Sequence, residues 1–334
     1  MRKRLQFLAL LAMVLAPSAA SAQTALASED LRAAVLGAET PVPQGWKAGL
    51  SLGSTFSFNQ SQSVVGTPDG VALQLGILAE GQAAYVVGQH TWTNTLKLVY
   101  AESKTPVLDR FVKSADGLDL TTTYAYRLQA IKWVGPYARA RLSTQLAPSY
   151  LVKPTAYGVK WQGDAAPTMY APQQFVQLTG ALDPILVGGA VGLFANPTES
   201  EAVTVKLKVG LGSQQLLSSW GYTITKDSDP TAIEVKSLQS ATQAGGELGA
   251  QAYGQLGTGL QWKARATFFM PVFTSITGTP TGFDALNSDF AASASYKLAK
   301  WLSLDYVFSA KRIPLVSDKW QVQNGAVLTA GFNL

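Results

Sequence analysis

The stretch from Trp46 to Phe58 reads W-K-A-G-L-S-L-G-S-T-F-S-F. Its even positions carry Trp46, Ala48, Leu50, Leu52, Phe56 and Phe58, interrupted only by Ser54. Its odd positions carry Lys47, Gly49, Ser51, Gly53, Thr55 and Ser57. Successive side chains of a β-strand point to opposite faces, so this segment has one apolar face and one small or polar face. It runs well past the roughly 5–6 residues of an ordinary strand.

The same period returns along the chain. Leu73, Leu75, Ile77, Ala79, Ala83 and Tyr85 oppose Gln74, Glu80 and Gln82. Leu118, Leu120, Tyr124 and Tyr126 oppose Asp119, Thr121, Thr123 and Arg127. Val205, Leu207, Val209 and Leu211 oppose Lys206, Lys208 and Gly210, and Leu260, Trp262, Ala264 and Phe268 oppose Gln261, Lys263, Arg265 and Thr267. Ala326, Leu328, Ala330, Phe332 and Leu334 continue the alternation to the last residue.

Short connections alternate with long ones. Short turns are expected near Gly88–Thr91, Ala130–Val134, Asp183–Ile185, Gly212–Gln215, Gly257–Gly259 and Lys300. Longer loops are expected near Asn59–Ala72, Glu102–Asp116, Ala147–Pro172, Asn196–Glu201, Lys226–Gly246, Pro271–Asn287 and Lys311–Gln321. This is the plan of an all-β, transmembrane, antiparallel up-and-down β-barrel of about 14 strands (range ~12–16), with tight periplasmic turns and longer outer loops. A soluble β-sandwich would also alternate, but it explains neither the strand length nor the aromatics near strand ends: Trp46, Trp92, Tyr100, Trp133, Tyr137, Trp220, Tyr222, Trp301 and Tyr306. Membrane barrels carry such aromatic girdles at both interfaces.

Composition narrows the function. Charged residues are 14% of the 334, against roughly 25% in soluble domains. The formal charge of +5 includes Arg2, Lys3 and Arg4, which open a segment with an apolar core (Leu5–Leu15) and a small-residue Ala20-Ser21-Ala22 end. That is the pattern of a cleaved secretory signal peptide over residues 1–22. Without it, 23 basic residues face 21 acidic ones, so no basic domain points to nucleic acid. With no cysteine and one histidine, thiolate and multi-histidine metal sites are excluded, and no cofactor or metal is expected. Residues 23–45 are expected to be a periplasmic N-terminal segment, in which Ser28-Glu29-Asp30 caps a short helix. It serves as a tether or as a plug entering from below. Residues 46–334 form the barrel.

Trp92-Thr-Asn94-Thr-Leu96-Lys-Leu98-Val-Tyr100 resembles the W-x-N-x-L-x-L-x-Y strand of a bacterial outer-membrane barrel family of unknown function. Leu118–Tyr126 resembles its next strand. Thr144-Gln145-Leu146-Ala147-Pro148-Ser149-Tyr150 resembles its T-Q-F-x-x-G-Y segment, with Leu for Phe and Ser for Gly, and Tyr170-Ala171-Pro172 resembles its A-P element. The resemblance spans roughly Trp46 to Gly212. It implies an outer-membrane barrel and no particular activity.

Catalytic residues are not expected. His90 lies in a turn with no nucleophile and acid arranged around it in sequence. The face opposite the apolar one carries the chemistry. An Arg or Lys turned toward hydrocarbon costs about 2–4 kcal/mol at the midplane, so charged strand residues belong in the lumen. The lumen candidates are Arg139 and Arg141, Lys206 and Lys208, Lys263 and Arg265, with Asp119 and Asp305; Glu80 and Asp289 share their phase. They either brace the wall as a salt-bridge ladder or form a charged constriction with a modest anion preference. The expected function is a passive, porin-like channel for small solutes in a Gram-negative outer membrane, in contact with lipid and lipopolysaccharide. The alternative is a non-transporting structural or partner-binding barrel. The Ala147–Pro172 loop, rich in Pro and aromatics, either folds inward or covers the outside.

Overall fold

A computed structural model describes residues 44–61, 70–200, 202–226, 231–257, 259–276, 281–299, 302–314 and 317–333. The signal segment and the Ser28 helix lie outside the described residues.

Twelve strands close into one barrel: β1 (Gly45–Ser61), β2 (Gly70–Val87), β3 (His90–Lys104), β4 (Val112–Tyr126), β5 (Val134–Thr144), β10 (Ile185–Glu199), β11 (Thr204–Leu217), β14 (Ala241–Leu256), β15 (Leu260–Thr274), β16 (Asn287–Ala299), β17 (Leu302–Ile313) and β18 (Ser317–Asn333). Every neighbouring pair is antiparallel, and each strand pairs with the next barrel strand in the chain. The ring is completed by β1 with β18, from Ser51↔Asn333 to Thr55↔Thr329. Closure leaves no open edge, so the peptide groups of the wall pair with each other rather than with water.

The alternation sorts cleanly across the wall. Leu50, Leu52, Leu75, Ile77, Leu96, Leu120, Val191, Leu193, Leu207, Val209 and Leu211 are all exposed on the outside. On the opposite phase of the strands, Glu80, Lys97, Ala190, Glu247 and Asp305 are buried inside. An outward apolar and inward polar wall is the inverse of a soluble core, and it fits hydrocarbon outside and water within. Near the short-turn end, Trp46 stacks against Tyr85 (4.9 Å between ring centres) and lies 6.3 Å from Trp92, giving an aromatic cluster where a girdle belongs.

The barrel has twelve strands, the lower end of the expected range, and two misread turns account for the difference from 14. Gly212–Gln215 is not a turn. It lies inside β11, where Gly212 pairs with Ala190 and Gly245. Asp183–Ile185 ends a long excursion and leads into β10. Where a long outer loop was expected at Asn196–Glu201, β10 runs on to Glu199 and pairs through Glu199↔Thr204 with β11, so the connection is short and on the side of the chain ends. Tyr137 belongs to no girdle: it is buried in the lumen on the phase of Arg139 and Arg141. Tyr222 packs against Trp161 outside the barrel wall, and Trp301 lies outside the described residues.

The remaining six strands build a separate layer from two long loops at the end opposite the chain termini. The 145–184 loop supplies β6 (Ser149–Leu151), β7 (Tyr157–Lys160), β8 (Thr168–Tyr170) and β9 (Val176–Thr179). The 218–240 loop supplies β12 (Tyr222–Lys226) and β13 (Ile233–Ser237). One sheet runs β12-β13-β7-β8 and a second pairs β6 with β9. This cap has its own apolar core of Leu151, Tyr157, Val159, Val176, Leu178, Ile233 and Val235. Tyr157 donates its hydroxyl to the carbonyls of Leu151 (3.1 Å) and Gln174 (2.5 Å), and burial, with Tyr170 beside it, pushes its pKa up to about 12. The Ala147–Pro172 loop is therefore a folded half of a cap.

Asp183 fastens the two loops together. Its Oδ2 accepts from the Ser219 hydroxyl (2.6 Å), the Ser219 N–H (3.1 Å) and the Trp220 N–H (3.2 Å). Burial pushes its pKa up, but the bonds from Ser219, Trp220 and Ser218 outweigh this and hold it below the ordinary value of 3.8. A depressed carboxyl stabilises the fold above its unfolded pKa and loses that contribution as pH falls through the folded one. Protection of the 218–240 loop against proteolysis is thus expected to be complete at neutral pH and to fall only below pH 3.8. Asp183→Asn should remove the acid dependence.

The wall is tested by Leu211→Arg. Leu211 is 72% exposed on the outside near the middle of β11. Leu211→Arg is expected to lower folding stability in lipid vesicles by about 2–4 kcal/mol, read from denaturant titration. The mirror change Gln214→Arg, on the cavity side of β11, should cost markedly less.

Candidate functional site in the barrel lumen

The inward face of the strands encloses a cavity of about 330 Å³. Its lining holds eight basic side chains (Lys97, Arg139, Arg141, Lys206, Lys208, Lys263, Arg265 and Lys311) against three acidic ones (Asp119, Glu247 and Asp289). Glu80 and Asp305 are also inward and buried, so bases exceed acids by three even when these are counted. Thr95, Thr121, Thr123, Ser143, Gln214 and Gln251 supply neutral donors and acceptors around them.

The register explains the clustering. Thr121↔Arg141 pairs β4 with β5, which sets Asp119 one step along from Arg141 on the same inner face. Arg141 donates Nε (3.0 Å) and Nη2 (2.6 Å) to Asp119 Oδ1. Thr267↔Asp289 does the same between β15 and β16, and Arg265 Nη2 lies 3.2 Å from both Asp289 oxygens. Arg139 of β5 instead reaches Glu247 of β14, across β10 and β11. The Tyr137 hydroxyl also donates to Glu247, at 3.3 Å. Charge-assisted pairs of this kind fix the guanidinium planes rather than leave them to sweep the lumen.

The two lysines of β11 are held differently. Lys206 Nζ sits 5.1 Å from the centre of the Tyr253 ring, and Lys208 Nζ sits 5.5 Å from that of Tyr137. Both distances are within cation–π range.

Seven of the eight lumen residues expected from sequence meet in this one cavity. Asp305 does not join them. It is 1% exposed near the short-turn end, where the Ser303 hydroxyl donates to its Oδ2 at 3.0 Å. Sequence reasoning overlooked Glu247, Lys97 and Lys311 as site residues. Lys97 was on the right phase inside the Trp92–Tyr100 strand. Glu247 follows a stretch read as loop, although β14 begins at Ala241. Lys311 was placed in a loop, although β17 continues to Ile313.

His90 opens β3 rather than sitting in the turn before it. Its Nδ1 lies 2.6 Å from the Tyr124 hydroxyl, and its ring packs 5.0 Å from Tyr126. Among the described residues no three metal-ligating side chains converge.

A family described as a protein of unknown function (DUF3078) matches residues 66–150, about a quarter of the chain. That span contains the Trp92–Tyr100, Leu118–Tyr126 and Thr144–Tyr150 stretches. No curated protein matches. Among solved structures, the chain is similar to an outer-membrane channel from Pseudomonas putida F1, at 12% identity over 89% of this chain and 97% of that one, with a TM-score of 0.40. It is similar to the translocator domain of the autotransporter NalP from Neisseria meningitidis, at 10% identity over 86% and 88%, with a TM-score of 0.40. It is also similar to the toluene transporter TodX from Pseudomonas putida, at 11% identity over 87% and 88%, with a TM-score of 0.37. Likeness at this level says nothing about what this chain carries.

Breaking one ion pair tests the lumen geometry. Glu247→Ala removes the carboxylate from Arg139 and the acceptor from Tyr137, leaving a half-buried guanidinium unpaired. The expected loss is about 1–3 kcal/mol in vesicle unfolding. Phe269→Ala, which removes a cavity-lining side chain without a charge, should leave the Arg139 environment unchanged in the same assay.

Proposed function

We propose that this chain is a passive channel in a Gram-negative outer membrane, exported by its N-terminal signal segment, and that it passes small solutes with a preference for anions. The observation that carries the reading is the cavity lining, eight bases to three acids. A low-dielectric wall focuses the potential of such a lining onto the space it encloses, raising the local concentration of anions and excluding cations. The outer wall meets lipid and lipopolysaccharide. The barrel acts by its shape and its field, without a catalytic group.

A second reading is supported by the cap. Two loops with a shared apolar core and a hydrogen-bonded latch make a more elaborate outer surface than a channel mouth requires, which fits a barrel that binds a partner outside the cell.

The experiment is single-channel recording of the refolded protein in a planar bilayer under a salt gradient. Stable current steps with an anion-biased reversal potential are expected. Arg139→Gln combined with Arg141→Gln leaves Glu247 and Asp119 without their guanidinium partners and should move the reversal potential toward cation selectivity. Silence from a correctly folded barrel overturns the channel reading and favours the partner-binding one.

A further inference from the structure

We propose that the lumen does more than filter by sign, and that the cavity is a binding site for a dianionic oxyanion group, as on phosphate or a phosphate monoester. This deepens the channel reading and rests on the lumen being open to solutes.

Four observations converge. First, the bases come from separate strands of one stretch of the wall. Arg139 and Arg141 stand on β5, Lys206 and Lys208 on β11, and Lys263 and Arg265 on β15, all facing one enclosed space. Its volume of about 330 Å³ lies in the range of small-solute sites.

Second, the wall between those bases is cleared of side chains. Gly188 of β10, Gly212 of β11 and Gly249 of β14 all line the cavity on the inward phase. A Cβ added at Gly249 would meet only the Lys208 Cβ, at 3.8 Å, so there is room beside the root of the Lys208 side chain. At Gly212 an added Cβ would come within 3.1 Å of the Gly189 carbonyl, so the backbone itself forms that part of the surface.

Third, the cationic groups are held in place. Lys206 and Lys208 stack on Tyr253 and Tyr137, and Tyr137 is itself tied to Glu247. Arg141 spends Nε and Nη2 on Asp119, and a guanidinium has five N–H donors in all. Preorganised donors cost little to bring to an oxyanion, which is how such groups become selective rather than merely attractive.

Fourth, Thr121, Thr123 and Ser143 add hydroxyls to the same lining, and an oxyanion with several oxygens can accept from more of these neutral donors at once than a single chloride ion. Two charges on the solute meet bases on more than one strand at once, so a dianion gains more than a monovalent ion.

The probe is inorganic phosphate added at millimolar concentration, at mildly alkaline pH, to channels carrying chloride current. Phosphate is expected to reduce the open-channel chloride current in a saturable way. Lys206→Gln with Lys208→Gln should raise the half-blocking concentration by roughly tenfold or more, whereas Lys206→Arg with Lys208→Arg should keep it low. Gly249→Leu, which fills the space beside Lys208 without removing charge, should abolish the block and retain the anion bias; heat-modifiable migration reports that each variant is folded. Chloride current that phosphate leaves untouched in the wild-type protein overturns the site and leaves the channel standing. If no current is seen, phosphate is titrated calorimetrically into the detergent-folded barrel. Heat that disappears in the double Gln variant retains the site and overturns only the channel. Absence of heat overturns the site.

Discussion

In hydrocarbon an unpaired peptide N–H or C=O has no water to bond, and each costs several kcal/mol. That penalty dictates the architecture. Twelve strands pair around a full circle, and β1 meets β18 to remove the last open edge. Once the ring is closed, side-chain direction follows from the pleat. One residue faces lipid and the next faces the lumen, so each charged residue of a strand has only one tolerable phase.

The lumen chemistry is a consequence of that phase. Arg141 and Asp119, like Arg265 and Asp289, meet diagonally across adjacent strands because the register puts them one step apart on the inner face. Arg139 and Glu247 are different, since three strand-to-strand steps separate β5 from β14 and only the curvature of a closed ring brings the two side chains together. Glycines on β10, β11 and β14 keep that curved wall thin. Gly192 and Gly210 show how tightly: a Cβ on Gly192 would fall 2.1 Å from the Val209 carbonyl oxygen. The strands come close there because they carry no side chain, and the bases stand around the space that remains.

Much of this was legible along the chain, and the reasons it stopped being legible are physical. Period-two alternation at Trp46–Phe58, at Val205–Leu211 and at Leu260–Phe268 identifies wall strands, because lipid on one side and water on the other demand it. The phase of Arg139, Lys206 and Lys263 follows from the same demand. Glycine was the source of one of the two extra strands. Gly212-Ser213-Gln214-Gln215 has the composition of a turn, yet in β11 it is inner wall, where small residues are needed for close approach. The cap was hidden for another reason. Its strands have three to five residues, too few to show a period, and its core depends on the parallel meeting of β7 and β13, Ile233 against Val159, from loops far apart in the chain. Long-range pairing of that kind leaves no local signature. Glu247 was missed because β14 starts in a run of Ala, Gly and Gln with little apolar content to mark a strand.

The central claim is that each wall strand presents alternate residues to water and to lipid, with the bases on the water side. The chain has no cysteine, so single cysteines can be placed at successive positions of β11 from Val205 to Ser213 and spin-labelled without interference. Accessibility to a polar relaxation agent and to oxygen in the refolded, membrane-embedded protein should then alternate strictly. Positions 206, 208, 210 and 212 should favour the polar agent, and 205, 207, 209 and 211 should favour oxygen. Uniform accessibility along the strand, or alternation of the opposite phase, would contradict the account.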